Sequence, residues 1–119
     1  MKELILLTKE KQESIIGYMP KESTLGRLAD FFGIFADATR IKILTALCVS
    51  DMCVNDISVV LKLNQTTVSH QLKQLKQCGV VTSSRHGKIM YYKIANSSIN
   101  DIMLDGVDYL LANWYILNK

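Results

Sequence analysis

Residues 65–77 read QTTVSHQLKQLKQ and predict an amphipathic α-helix. At about 100° of rotation per residue, Val68, Leu72 and Leu75 fall on one arc of this helix. The opposite arc carries hydroxyl, amide, imidazole and ammonium groups and no carboxylate. Its members are Thr66, Thr67, Ser69, His70, Lys73, Gln74 and Gln77. The pattern indicates a helix that is anchored in a core on one side and offers hydrogen-bonding groups on the other.

A shorter helix is predicted directly before this one, over about residues 55–62. Its inward-facing positions are Ile57, Val60 and Leu61. Leu63 and Asn64 interrupt the pattern, and Gly79 supplies a C-terminal stop for the longer helix. Two helices joined by so short a break predict a helix-turn-helix.

Two β-prone runs follow, at residues 80–84 and 89–94, and residues 85–88 form the predicted turn between them. A helix-turn-helix followed by a hairpin with a basic tip is a winged helix. The expected fold class is therefore mainly α-helical with a small β-hairpin. A hairpin with a purely structural role, which contacts no DNA, would have the same basic tip, because Arg85 and Lys88 also aid solubility.

The remaining helices are predicted on both sides of this core. A helix over about residues 2–16 ends before Pro20, a second covers residues 22–35, and a third begins at Asp37, which can cap it. The third buries a stripe made of Ile41, Leu44, Leu47 and Cys48. A last helix over about residues 97–117 carries a long apolar stripe. Its members are Ile99, Met103, Leu110, Trp114 and Leu117, with Val107 beside them.

The expected organisation is one domain over residues 1–119, with a DNA-reading core at about residues 36–95. The terminal helices, 2–16 and 97–117, carry more apolar surface than one small domain needs. We therefore expect them to form the interface of a two-fold homodimer. The two copies of the helix at residues 65–77 would then read two half-sites of DNA.

Positive charge is concentrated in one part of the chain. The whole sequence carries +3, but no Asp or Glu lies between Ile57 and Asn100, and that segment carries +6. Positive potential gathered in this way favours a polyanion such as double-stranded DNA as partner. A solvated basic face without a partner would give the same composition.

The predicted DNA contacts follow from this charge pattern and from the polar arc. Hydroxyl, amide and imidazole groups match the donors and acceptors of base edges in the major groove, whereas a carboxylate there would repel phosphates. The major-groove residues are Thr66, Thr67, Ser69, His70, Lys73 and Gln74, with Gln65 at the edge. Arg85, His86 and Lys88 of the hairpin are expected to hold phosphates or to enter the minor groove, and Arg40 to add a backbone contact.

Other classes of protein fit the sequence poorly. The only long aliphatic run near the start, residues 4–7, is flanked by charges, so neither a membrane span nor a signal-peptide core is predicted. Three cysteines without a CxxC arrangement favour a reducing compartment, and the cytoplasm is the expected location. An enzyme is not expected, since the sequence contains no glycine-rich phosphate loop and no recognisable catalytic constellation.

Several motifs resemble the ArsR/SmtB-type family of bacterial transcriptional repressors. Residues 35–44, FADATRIKIL, are similar to the family's LADPTRLRIL opening, and residues 51–57, DMCVNDI, to its ELCVCDL box. QTTVSHQL at 65–72 is similar to its SQSTVSHHL helix, and GKIMYY at 87–92 to its GRxVYY wing. The resemblance covers roughly residues 22–110. It implies a dimeric winged-helix repressor that leaves its operator when an inducer, often a metal ion, binds.

The inducer sites depart from the family's pattern. In the cysteine-type metal sensors of the family, the box supplies two thiolates, helped by cysteines near the N-terminus. Here Cys53 matches the first thiolate, Asn55 occupies the position of the second, and residues 1–30 contain no cysteine. The family's other site needs histidines on the last helix, and residues 95–119 contain none. We therefore assign no metal site and no cofactor.

Two further groups of residues have more than one interpretation. Cys48 and Cys53 are close enough in sequence to form a disulfide if the geometry allows, which suggests a thiol or reactive-sulfur sensor. They also fit ordinary buried positions. Asp101, Asp105 and Asp108 share one face of the last helix, where they could gather oxygen ligands for a hard cation or form a solvated acidic face.

A winged helix that contacts only other proteins is the alternative to the repressor.

Overall fold

A computed structural model describes residues 4–112 of the chain. Its contacts divide these residues into two compact units, one that ends at Phe32 and one that begins at Gly33. In chain order the elements are α1 (Lys9–Tyr18), α2 (Glu22–Ile34), α3 (Ala38–Val49), β1 (Met52–Cys53), α4 (Val54–Leu61), α5 (Gln65–Gln77), β2 (Val81–His86), β3 (Ile89–Ile94) and α6 (Ser97–Ala112).

Helix α1 lies in the first unit and begins at Lys9, later than the predicted start at residue 2. The Thr8 side chain accepts a hydrogen bond from the backbone N–H of Lys11 at 3.2 Å and caps the helix there. Residues 4–7 consequently lie outside the helix, although they are strongly apolar. The helix ends at Tyr18, and the following residue, Met19, is extended ahead of Pro20.

The hydrophobic core lies in the second unit. Its buried members are Ile34, Ile43, Leu44, Leu47, Ile57, Val68, Leu72, Leu75, Val80, Val81, Ile99 and Met103. Leu44 and Leu47 are buried as predicted, but Ile43 is also fully buried, whereas Ile41 and Cys48 pack at the edge. Helix α3 therefore buries a wider face than the predicted stripe, because helix α4 and strand β3 both pack against it.

The first turn of α3 is capped as the sequence predicts. A carboxylate oxygen of Asp37 accepts a hydrogen bond from the backbone N–H of Arg40 at 3.0 Å. Asp37 itself has extended backbone, which is the conformation of an N-cap residue. This cap sets where α3 begins and so sets the register of the core positions that follow.

Helix α4 buries fewer residues than predicted. Ile57 is fully buried and Leu61 packs against the core, but Val60 is 65% exposed, so its predicted inward position is wrong. The eight-residue helix presents Ile57 and Leu61, one turn apart, to the core. Val60 lies to one side of that stripe and lines an apolar groove between α3 and α4, with a volume of about 480 Å³.

The turn between α4 and α5 depends on one residue in the left-handed region. Lys62 has φ 56° and ψ 46°, and it is the only non-glycine residue with positive φ in the described part of the chain. The Leu63 backbone N–H donates to the Ser58 carbonyl at 3.0 Å, and the Ser58 hydroxyl donates to the Leu63 carbonyl. These bonds close the turn tightly enough to impose the strained backbone on Lys62.

The free energy of unfolding of Lys62→Gly is expected to exceed that of Lys62→Ala by about 1 kcal/mol. Glycine is the more stable choice here because it adopts positive φ without the clash of a Cβ atom. Both substitutions remove the same charge and the same aliphatic stem, so alanine is the matched control. Urea unfolding followed by circular dichroism at one protein concentration measures the difference. Equal stability of the two variants would contradict the backbone explanation.

Gly79 ends α5 as predicted, in a Schellman motif. The backbone N–H of Gly79 donates to the Lys76 carbonyl at 3.0 Å, and that of Val80 donates to the Leu75 carbonyl at 3.1 Å. Gly79 has φ 77°, which is the left-handed conformation that the motif requires. Val80 and Leu75 are both buried, so the motif also carries the chain from the helix directly into the core.

The sheet has three antiparallel strands in the order β1-β3-β2, one more than predicted. The extra strand, β1, has only two residues, of which Met52 pairs with Tyr92 and Cys53 with Tyr91. The predicted four-residue turn is also wrong. Arg85 and His86 belong to β2, and His86 pairs with Ile89, which leaves a turn of two residues, 87 and 88. Gly87, with φ 66°, permits so tight a turn.

Helix α6 begins at Ser97 as predicted and is described as far as Ala112. Ile99 and Met103 are buried, whereas several large apolar side chains further along are exposed. These are Ile102, Leu104, Val107, Tyr109, Leu110 and Leu111. The predicted positions Trp114 and Leu117 lie outside the described residues. Across residues 4–112, no helix has the length and the apolar character needed to cross a membrane.

Candidate nucleic-acid interface

Helix α5 is held rigidly at its start and along one side. The Asn64 side-chain oxygen accepts hydrogen bonds from the backbone N–H groups of Thr66 and Thr67, at 2.7 and 3.4 Å. Val68 and Leu72 are fully buried, and Leu75 is almost so. Because the apolar arc is anchored in the core, the opposite arc is directed outward, as the helical spacing predicts.

The outward arc of α5 contains the residues that the sequence analysis selected for the major groove. The exposed ones are Gln65, Thr66, Thr67, Ser69, His70 and Lys73. Gln74 is half-buried, and its Nε2 lies 3.3 Å from Nε2 of His70. Because an amide nitrogen donates, this contact fits the His70 tautomer that accepts at Nε2 and carries its proton on Nδ1.

A groove with a volume of about 740 Å³ runs beside this arc, between α5, the start of α4 and strand β3. It brings together five of the predicted residues, Gln65, Thr66, Ser69, His70 and Lys73. Thr67 and Gln74 belong to the same helix but do not line the groove. The concave surface combines hydroxyl, amide, imidazole and ammonium groups without a carboxylate among the residues that line it.

Three groove residues were not predicted from sequence, namely Val54, Lys76 and Tyr92. The Nζ atom of Lys76 donates to the Ser83 hydroxyl of β2 at 2.6 Å, so this lysine joins helix α5 to the hairpin. A helical turn separates Lys76 from Lys73, and that spacing is the signal that could have placed both lysines on one wall. Nothing in the local sequence indicates Tyr92, which reaches the groove through the pairing of β3 in the sheet.

The predicted hairpin residues Arg85, His86 and Lys88 are all exposed and do not line this groove. Nε2 of His86 lies 3.2 Å from the Ser84 hydroxyl. The His86 ring also meets the Tyr91 ring edge to face, with 5.3 Å between centroids. These contacts hold His86 against the hairpin, whereas Lys88 is exposed in the turn that joins the two strands.

Arg40 has protein partners that the sequence analysis did not anticipate. Its Nε donates to the Ile34 carbonyl at 3.0 Å, and one terminal nitrogen lies 3.5 Å from the Gly33 carbonyl. Nε is also 4.0 Å from the Asp37 carboxylate. The guanidinium thus satisfies carbonyl groups at the end of α2, and a phosphate contact would compete with these bonds.

The cysteines are free thiols in the structure. Cys48 is half-buried, and burial raises the pKa of its thiol, so the neutral form predominates more strongly at pH 7. Cys53 is half-buried in β1, and Cys78 is exposed at the end of α5. Within residues 4–112, no three His, Cys, Asp or Glu side chains are grouped as metal ligands, and Asp101, Asp105 and Asp108 are exposed on α6.

Comparison with known proteins yields one family. Residues 37–83 match the model of bacterial regulatory proteins of the arsR family. The chain is 41% identical over 83 residues to the cadmium resistance transcriptional regulatory protein CadC of Listeria innocua, a match that covers 69% of this chain and 70% of the relative. It is 31% identical over 84 residues to the transcriptional repressor SmtB homologue of Synechocystis, covering 71% of this chain and 64% of the relative.

A solved structure has the same fold. It is the homodimeric winged helix-turn-helix DNA-binding domain of a possible ArsR-family transcriptional regulator from Mycobacterium bovis. The sequence identity is 26% and the TM-score is 0.68, over 80% of this chain and 92% of that one. The predicted fold class, a winged helix-turn-helix, is confirmed.

Proposed function

Since this chain belongs to the arsR family of bacterial regulatory proteins and is a winged helix-turn-helix transcriptional regulator, we propose that it acts as a homodimeric repressor. In this proposal the dimer binds an operator in double-stranded DNA and leaves it when an inducer binds. The observation that carries the proposal is the exposed, acid-free face of α5 beside the groove. That face is rigid because Val68 and Leu72 anchor the helix in the core.

The residues of this face have separate roles in the proposal. Thr66, Thr67, Ser69, His70, Lys73 and Gln74 face the major groove, with Gln65 at its edge. Hydroxyl, amide and imidazole groups read base edges there, and Lys73 neutralises phosphate charge. Arg85, His86 and Lys88 hold phosphates or the minor groove from the hairpin. Arg40 contributes to the backbone contact only if its bonds to α2 are exchanged for a phosphate.

The homodimer is supported by the exposed apolar side chains of α6, which include Leu104, Val107 and Leu110. Burying such side chains against a second copy removes them from water, which is favourable. The M. bovis regulator with the same fold is homodimeric. Light scattering at micromolar concentration is expected to give twice the chain mass of 13.4 kDa. A mass of one chain would remove the dimer from the proposal.

The repressor is tested by fluorescence anisotropy with the DNA upstream of its own gene and with random DNA, at two salt concentrations. Tighter binding to the upstream DNA, weakened by salt, is expected. Equal affinity for both DNAs under every condition would contradict the repressor. Loss of all DNA affinity at low salt would favour the alternative, a winged helix that contacts only proteins.

The class of inducer is tested by repeating this titration after mild thiol oxidation and after addition of zinc or cadmium. Cys48 and Cys53 are the proposed sensing thiols, and the exposed thiol of Cys78 would also react with an oxidant. Burial raises the pKa of Cys48 and lowers its thiolate fraction, which slows the reaction of this thiol with an oxidant. Release by the oxidant alone would assign thiol sensing. Release by metal alone would assign a metal site that the described residues do not form by themselves.

Lys88→Ala is expected to weaken binding to upstream and random DNA alike, and to lower the slope of log affinity against log salt concentration by about one. The reason is that Lys88 is an exposed cation in the turn of the hairpin, suited to a phosphate and not to a base.

His70→Ala is expected to reduce discrimination at particular base pairs instead. Salt titrations of both variants, on both DNAs, check these roles. Equal losses on both DNAs from both variants would contradict them.

A further inference from the structure

A hydrogen bond joins the first turn of α4 to the first residue of α5. The Gln65 side-chain amide nitrogen, Nε2, donates to the Asn55 side-chain oxygen, Oδ1, at 2.8 Å. The two residues are ten positions apart in the sequence, and the turn of the helix-turn-helix brings them together. Asn55 has no role predicted from sequence, because it stands where metal sensors of the family carry a second thiolate.

Both ends of this bond rest on fixed backbone. Ile57 holds α4 in the core and Val68 holds α5, and each is fully buried. The Asn64 cap fixes the first turn of α5 through Thr66 and Thr67. The bond therefore restrains the Gln65 side chain against two anchored helices, and not against a mobile loop. A free glutamine side chain of this length would lose more rotamer entropy on binding a ligand.

The bond leaves Gln65 with a defined set of free groups. A carboxamide has two N–H donors and one carbonyl acceptor, and Asn55 takes one of the donors. Within the described residues, the remaining N–H and the carbonyl oxygen have no hydrogen-bond partner. Gln65 is exposed and lines the groove beside Thr66 and Ser69. It thus presents one donor and one acceptor at the edge of the surface assigned to DNA.

A donor and an acceptor on one carboxamide complement adenine in the major groove, where N7 accepts and the N6 amino group donates. Guanine offers two acceptors at the same positions, so the carbonyl oxygen of the glutamine would face a second oxygen and be repelled. A preorganised carboxamide strengthens this discrimination, because less freedom is lost when the base is bound.

We propose that Asn55 is a positioning residue for base recognition, which holds the Gln65 carboxamide in the orientation that reads one adenine in each half-site. This inference rests on the proposed function, since it names a base that the repressor reads. Asn55 acts through Gln65 and contacts no base itself.

The test uses the full-length protein and its upstream DNA, in which each A·T pair of a half-site is replaced in turn by G·C. Fluorescence anisotropy measures the affinity for each duplex and for random DNA. For the wild type, one replacement per half-site is expected to weaken binding by about 10-fold or more. Asn55→Ala is expected to reduce that penalty several-fold, with affinity for random DNA unchanged within twofold.

Three further variants separate positioning from a merely structural role. Gln65→Ala is expected to abolish the penalty at the same base pair, and Asn55→Ala combined with Gln65→Ala to do no more than Gln65→Ala alone. Asn55→Asp keeps an acceptor for Gln65, so it is expected to restore the penalty while weakening binding to all DNA by charge repulsion. Unchanged thermal melting of Asn55→Ala shows that its fold is intact.

The outcomes that overturn the proposal differ from those that overturn the repressor. If the wild type fails to distinguish its upstream DNA from random DNA, the proposed function and this inference both fail. If the wild type discriminates but Asn55→Ala keeps the full penalty at every base pair, only the inference fails. Additive losses in the double variant, or equal losses on specific and random DNA, also refute it.

Discussion

Ser69→Glu is expected to weaken binding to the upstream DNA by about 100-fold at physiological salt, which corresponds to about 2.7 kcal/mol. Ser69 is exposed in the middle of the acid-free face of α5 and lines the groove beside His70 and Lys73. In the proposed complex a carboxylate at this position would repel the phosphates at short range and cancel part of the field of Lys73. Fluorescence anisotropy against salt concentration measures the loss, which is expected to shrink as salt rises.

Two matched variants show whether the loss comes from the position of the charge. Ser23→Glu changes the net charge equally, but Ser23 is an exposed residue in the first turn of α2, outside the helices assigned to the dimer interface. It is expected to bind DNA within a few-fold of the wild type. Ser69→Gln has nearly the size of the glutamate without its charge, and it is expected to retain most of the affinity. Equal binding by the two glutamate variants would show that α5 does not face DNA.

Leu72→Ala is expected to lower the free energy of unfolding by about 3 kcal/mol. Leu72 is fully buried in the centre of α5, between Val68 and Leu75. The truncation removes apolar contacts and leaves a cavity that well-packed neighbours cannot close completely. A loss of this size is a large part of the stability of a small protein. Urea unfolding at one protein concentration gives the difference from the shift of the midpoint, provided that the slope is unchanged.

Gln77→Ala is the control for Leu72→Ala, since Gln77 is exposed on the same helix. Its stability is expected to stay within about 0.5 kcal/mol of the wild type. DNA binding by Leu72→Ala is also expected to weaken at temperatures near its lowered melting point, because α5 is held in place from this side. A loss below about 1 kcal/mol would contradict the position of Leu72 at the centre of the core.

The parts of the fold that follow from neighbours in the chain could be predicted from sequence. The bounds of α5 and the C-terminal stop at Gly79 agree with the structure. Asp37 caps α3 as its position before Thr39 and Arg40 predicts. Each of these depends on contacts within a few residues, so helical periodicity and capping chemistry are sufficient to locate them.

Predictions failed where the partner lies far along the chain. Strand β1 has two residues and no periodicity of its own, and it exists only because β3 offers an unpaired edge. Val60 has the apolar character of a core residue but lies beside the stripe that the short helix α4 turns inward. The late start of the first helix is an error of another kind, because the Thr8 cap acts over only three residues and lies within reach of sequence reasoning.

The sequence by itself determined that one face of α5 is apolar and the other polar and free of acid, because helical geometry assigns each residue to a face without reference to the rest of the chain. It likewise determined the concentration of positive charge and the order of helix, turn, helix and hairpin. Only the tertiary structure decided which polar groups meet. Asn55 bonds to Gln65 across the turn, and Arg40 bonds to carbonyl groups at the end of α2, six and seven residues earlier. Tyr92 of β3 lines the same groove as Lys76 of α5. Each of these arrangements requires separate elements to pack together. Side-chain hydrogen bonds act over about 3 Å, and only the packed core brings such groups within that distance.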